Sequence, residues 1–150
     1  MKSVLIDSNT LLLFLVGNLD PSQLGRKRLK RFDLDDLQRL TGILDGFQRH
    51  VTLPNILTEV SNLLGCGDQE LVRGGAKALA RYCDFAEEVY EASRGVVAFS
   101  EYARLGLTDA AIFKLSDENL TVLTIDHELF GRLSRQGITA INLFHFKTLT

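Results

Sequence analysis

Tryptophan is missing from these 150 residues, and there are only two cysteines, two prolines and one methionine. Cys66 and Cys83 stand far apart, with no CxxC and no paired-histidine spacing, so neither a disulfide framework nor a zinc site is indicated. A reducing cytoplasm is the simplest setting. The longest apolar stretch near the start, Leu11 to Val16, falls short of the roughly 20 residues of a membrane span. It also falls short of a signal-peptide core of about 7 to 15 residues behind a basic start. A soluble chain that is not exported is expected. An excess of one charge is lacking too: 17 Lys and Arg face 19 Asp and Glu, leaving −2, so no global basic field announces a nucleic-acid binder. GxGxxG, the Walker lysine motif and a recognisable Ser or Cys nucleophile are all absent.

The composition, 45% hydrophobic and 24% charged, fits one domain over residues 1–150 and excludes a disordered or collagen-like chain. No repeat or low-complexity segment interrupts it. Val4 to Ile6 reads as a strand that ends at Asp7-Ser8-Asn9-Thr10, with a helix through Leu11 to Leu15 and Gly17-Asn18 as its stop. Residues 19 to 33 read as a projecting loop or short helix. Leu34, Leu37, Leu40, Leu44 and Phe47 recur at helical spacing, with Asp33 or Asp35 as the cap. His50 falls at that helix's C-terminal end, where the dipole favours it. Val51 to Leu53 reads as a strand, and Pro54 suits the first position of a helix carrying Ile56, Val60 and Leu64. A long helix is expected from Gln69 to Glu91, and short ones at Ser100 to Leu105 and after Thr108-Asp109. Leu120 to Ile125 is a strand, His127 to Arg135 a helix and Ile138 to Leu143 a last strand. Strands alternating with helices predict a mostly parallel sheet covered on both faces.

Ligands bind an open parallel sheet at the carboxyl ends of its strands. Asp7 and Asp126 sit at such ends, Asp109 stands in the first turn of a helix, and Glu59 lies five residues beyond Pro54. Taken singly, each aspartate is equally explained as a helix cap, and Glu59 as an ordinary exposed helix residue. As a set they say more, because carboxylates converging in one cleft repel one another unless a cation neutralises them. All-oxygen ligands suit Mg²⁺ or Mn²⁺, with positions left for water and phosphate oxygens, which points to phosphoester chemistry. Arg26, Lys27, Arg28, Lys30 and Arg31 form a local cationic run able to hold phosphates on a slightly acidic protein, or to be a solvated loop. His127 adjoins Asp126, and His145 reads as a surface residue.

The opening Val4-Leu5-Ile6-Asp7-Ser8-Asn9-Thr10-Leu11 resembles the first strand and acidic turn of the PIN-domain ribonucleases, which include the small stand-alone toxins of VapC type. Leu53-Pro54 through Glu59-Val60 resembles that family's acidic helix. Leu105 to Ile112 and Val122-Leu123-Thr124-Ile125-Asp126 resemble its third and fourth acidic motifs. The resemblance implies a three-layer α/β/α domain with a parallel sheet of about five strands, and a Mg²⁺ or Mn²⁺ pocket formed by Asp7, Glu59, Asp109 and Asp126 as metal-binding and catalytic residues. Asn9 and Thr124 would be polar supports and Ser8 the helix cap. It implies a cytoplasmic endoribonuclease that hydrolyses RNA phosphodiesters, with an antitoxin protein as candidate partner, a dimeric assembly, and the cationic run bound to RNA.

Two rival readings stand beside it. An aspartyl-phosphate phosphatase or receiver domain also places an acid after the first strand, but Asp7-Ser8-Asn9 lacks the second aspartate of the phosphatases and the late strand end carries Asp126 in place of a receiver lysine. A non-catalytic RNA- or protein-binding module would use the same acids only as caps.

Overall fold

In the computed structural model, which describes residues 2–149, the chain forms a five-stranded, all-parallel sheet of order β3-β2-β1-β4-β5 flanked by helices, a three-layer α/β/α fold. The strands are β1 (Ser3–Ile6), β2 (Arg49–Thr52), β3 (Glu87–Glu88), β4 (Leu120–Thr124) and β5 (Ala140–Asn142). β1 and β4 are buried along their whole length, as expected of central parallel strands covered on both faces. Their register pairs Ile6 with Leu123.

Eight α-helices are described: α1 (Ser8–Leu19), α2 (Leu34–Leu44), α3 (Pro54–Leu64), α4 (Gln69–Phe85), α5 (Ser93–Val97), α6 (Tyr102–Leu105), α7 (Leu107–Leu115) and α8 (His127–Arg135). The chain steps outward from β1 to β2 and β3, then crosses to β4 and β5. Right-handed crossovers therefore divide the helices between the two faces: α1 packs on α2, α3 and α4, while α7 packs on α5, α6 and α8. The strand order reverses between β1 and β4, and it is outside the strand ends at such a switch point that open parallel sheets take their ligands.

Several local expectations change. The long helix stops at Phe85, because residues 87–88 leave it to pair with Val51 and Thr52 as an edge strand, and residues 93–97 form α5. His50 belongs to β2 and is buried, its Nδ1 3.0 Å from the Tyr82 hydroxyl. Burial holds the His50 pKa below its ordinary value and pushes that of the Tyr82 hydroxyl up. The segment 19–33 does not project: it makes two 3-10 turns, Pro21–Gln23 and Lys27–Leu29, and buries Leu29 and Phe32 in the core. Gly17 does not end α1; a Cβ there would approach Leu37 within 3.0 Å, so the residue lets α2 pack closely. Cys66 and Cys83 are exposed thiols. Among the described residues no helix is long and apolar enough to cross a membrane.

Candidate functional site

Asp7 is the residue at which β1 becomes α1. Its backbone N–H donates to Leu123 of β4 at 3.0 Å, and one carboxylate oxygen accepts the Thr10 N–H at 3.2 Å as the α1 cap. The helix cap is thus Asp7 and not Ser8. The other oxygen accepts the Thr124 hydroxyl from the end of β4. Thr124 Oγ1 in turn accepts the Asp126 N–H at 2.9 Å, and Asp126 caps α8 through Leu129. One threonine therefore couples the two strand-end aspartates across the switch point. Asp7 is buried, and desolvation raises its pKa against the hydrogen bonds from Thr124 and Thr10.

Asp109 reaches the same edge from the other layer. Gly106, at φ +83°, adopts a backbone that only glycine holds without strain, which turns the chain sharply into α7 and puts Asp109 in its first turn. The Asp109 pKa is pushed up to about 7, first by burial and then by the charges of Asp7, Asp126, Glu59 and Glu128 in that order. Glu59 comes from α3, exposed, and accepts the Ser8 hydroxyl at 2.6 Å, which ties α3 to the start of α1. The four acids thus share one electrostatic neighbourhood at the carboxyl edge. Among the described residues none of them forms an ion pair with Lys or Arg.

The acids suit a cation in their chemistry but not in their spacing. An all-carboxylate set without counter-ions, one member of which keeps its proton up to about pH 7, has the chemistry of a hard divalent cation site. Yet among the described residues no three His, Cys, Asp or Glu side chains stand close enough to enclose an ion. Mg²⁺ reconciles the two, since it keeps several waters and takes only one or two carboxylates directly. Asp7 and Asp109 are the members whose charge is least compensated by solvent.

Two contributors escape sequence reasoning. Ser8 meets Glu59 through a pairing that no local pattern announces. Glu128 adds to the field on Asp109, although Arg104 at 3.3 Å and Arg132 at 3.5 Å already engage it; its place two residues after Asp126 in a helical first turn was the available signal. Asn9 is exposed and makes no side-chain hydrogen bond among the described residues, so the support expected of it is not seen, whereas Thr124 makes two. His127 and His145 lie with ring centroids 6.4 Å apart, His145 edge-on to Phe130.

The cationic run sits away from the acids. Arg26, Lys27 and Arg28 line a cavity of about 100 Å³ with Leu12 and Val16 of α1 and Leu63 of α3, and none of the four acids borders it. Along α1 that lining lies about 6 to 12 Å from Ser8 at about 1.5 Å per residue. Arg31 stacks over Phe144 at 4.6 Å, and none of Arg26, Lys27, Arg28, Lys30 and Arg31 is in an ion pair among the described residues.

Because neighbouring charge helps to raise the Asp109 pKa, Glu59→Gln lowers its titration midpoint and Asp7→Asn lowers it further. A carboxyl-carbon NMR titration of the metal-free protein reads both shifts. An unmoved midpoint in Glu59→Gln would put Glu59 outside the cleft.

No protein-family model and no curated protein matches the chain. Among solved structures, a domain of a functionally unknown protein from Methanocaldococcus jannaschii DSM 2661 is similar, at 15% identity and a TM-score of 0.47, covering 94% of this chain and 90% of that one.

Proposed function

We propose that this protein is a metal-dependent endoribonuclease of the PIN-domain kind, acting in the cytoplasm and hydrolysing RNA phosphodiester bonds at the Asp7, Glu59, Asp109 and Asp126 cleft. The observation that carries the reading is the gathering of these unpaired acids at the switch point, with Asp109 driven up to about 7. Four carboxylates without a cation are an unfavourable arrangement unless a ligand uses them.

In this reading Asp7, Glu59, Asp109 and Asp126 are the residues that would hold Mg²⁺ or Mn²⁺. When bound, the cation lowers the pKa of a water and offsets the charge of an in-line displacement at phosphorus. Thr124 keeps the Asp7 carboxylate and the Asp126 backbone in fixed relation, and Ser8 does the same for Glu59. Asp109 or Asp126 accepts the proton of the attacking water, and the products carry 5′-phosphate and 3′-hydroxyl ends. The cationic run from Arg26 to Arg31 holds phosphates of the strand beyond the cleft, lending affinity without sequence information. The family resemblance extends the proposal to the toxin of a toxin-antitoxin pair, active as a dimer and blocked by a partner protein.

The rival reading of a non-catalytic module is favoured by one observation: Asp7 and Asp126 each cap a helix. Melting curves in chelator and in Mn²⁺ or Mg²⁺ separate the two. Ligand bound at about one hundred times its Kd adds about 2.7 kcal/mol to the native state, a rise of roughly 5–10 °C for a chain of this size. The cation should also switch on cleavage of a single-stranded RNA. No rise and no cleavage would leave Asp7 and Asp126 as caps and Glu59 and Asp109 without a ligand to serve.

A further inference from the structure

Tyr90 lies just beyond β3, at the carboxyl edge that also carries Asp7, Thr52 and Asp126. Its side chain is 75% exposed, which for a ring of that size forgoes most of the burial an aromatic ordinarily contributes. It faces a groove of about 640 Å³ lined also by Asn55, Thr58 and Glu59 of α3, Ser93 of α5 and Thr108 of α7. Glu59 belongs to the acid set and Thr108 directly precedes Asp109, so the groove opens out of the carboxylate cleft. β3 is two strands from β1 in the sheet, and at about 4.8 Å per strand that is on the order of 10 Å. A neighbouring nucleotide of a strand held at the acids would fall there.

The chemistry of the groove selects which part of a nucleic acid it takes. Its lining holds no Lys or Arg, and Glu91, which also borders it, is paired with Lys114 at 2.9 Å. Phosphates therefore find no cation in it. What it offers is one open aromatic face with amide and hydroxyl groups around it, the combination that stacks a base and satisfies its edge. Bases in a duplex present no free face, so the groove suits a single strand.

We propose that Tyr90 is a stacking platform that positions a base of single-stranded RNA beside the carboxylate cleft. The proposal rests on the nuclease reading above, whose reaction would take place at the adjoining acids. Stacking needs the ring and not the hydroxyl, and it releases no counter-ions. Tyr90→Phe should therefore behave as the natural protein does, whereas Tyr90→Ala raises KM for a single-stranded oligoribonucleotide about ten-fold or more with kcat little changed. The salt dependence of KM stays as it was in Tyr90→Ala. It flattens when Arg26, Lys27, Arg28, Lys30 and Arg31 are replaced by serine, which separates the platform from the phosphate contacts.

The experiment measures cleavage of an oligomer carrying 2-aminopurine, in Mn²⁺, by the natural protein and both Tyr90 variants, together with quenching of the base fluorescence on binding in EDTA. Quenching lost in Tyr90→Ala and kept in Tyr90→Phe, with the KM change above, supports the platform. An unchanged KM and unchanged quenching in Tyr90→Ala, while the natural protein cleaves, overturns the platform and leaves the nuclease reading standing. A fall in kcat at constant KM overturns it as well. If the natural protein does not cleave, the nuclease reading fails by itself. Tyr90-dependent quenching would then still support single-strand binding on this face, and its absence would overturn it.

Discussion

Asp109→Asn should lower metal-dependent RNA cleavage by on the order of 100-fold or more and at the same time raise the melting temperature of the metal-free protein. Its carboxyl is half-buried and crowded by Asp7, Asp126, Glu59 and Glu128, so neutralising it relieves repulsion that only a bound cation would otherwise offset. Asp7→Asn should abolish cleavage to the same extent with a smaller gain in stability. Asparagine caps α1 as well as aspartate does. Its amide group, however, faces a Thr124 oxygen that already accepts the Asp126 N–H, and the threonine hydroxyl proton loses its acceptor. Activity with Mn²⁺ and melting in chelator are measured for each variant. Retained cleavage in both removes the acidic-pocket mechanism, and a stability loss of about 1 kcal/mol or more in Asp7→Ala with cleavage kept identifies Asp7 as a helix cap alone.

The metal-free protein should lose stability as pH rises from about 4 to about 7. The Asp109 carboxyl has an ordinary pKa of 3.8 and titrates near 7 in the folded chain. Between those values the native state keeps a proton that the unfolded state has released, so stability falls with pH. The contribution is whole below about pH 4 and gone above about pH 7, each unit of pKa being worth about 1.4 kcal/mol. Asp7, raised by burial, acts in the same direction. His50 acts in the opposite one: its pKa is lowered, so its contribution is present above its ordinary 6.5 and lost as pH falls below. Subtracting the curve of Asp109→Asn from that of the natural protein isolates the aspartate. The difference should slope downward with pH in chelator. With saturating Mn²⁺ the slope should reverse, since a cation competes with the proton for the same oxygens. A flat difference curve in chelator would mean that Asp109 is solvated and ordinary.

What the sequence made legible and what it hid follow the range of the interactions concerned. The central strands β1 and β4 are continuous apolar runs ending in aspartate, a pattern visible along a few residues, and their helices start at polar caps. That was enough for the alternation of elements and for the strand-end placement of Asp7 and Asp126. β3 was invisible because it consists of Glu87 and Glu88, whose strand character comes only from pairing with Val51 and Thr52. The apolar stripe through Tyr82, Phe85, Ala86 and Val89 meanwhile continued a helix pattern across it. His50 read as a helix-end cation because the rings that cover it, Tyr82 and Phe85, are more than thirty residues away. The cationic run hid Leu29 and Phe32, whose burial pins the loop to the body. At the cleft, each acid could be named from local pattern, but the Ser8 to Glu59 bond and the engagement of Glu128 by two arginines needed the fold.

The Thr124 to Asp7 hydrogen bond spans 117 positions of sequence, and that distance has a meaning in time. Synthesis proceeds from the N-terminus at about 5–20 residues per second, so Asp7 is made early while Asp126 and its strand do not yet exist. β1 lies between β2 and β4, and its β4 side stays unfilled until residues 120–124 have been made. Closing so long a loop is also entropically costly and slow. The repelling acids are therefore brought together among the last events of folding. Under the nuclease reading proposed above, the chain would stay inert through most of its own translation, while it is still attached to the message that encodes it.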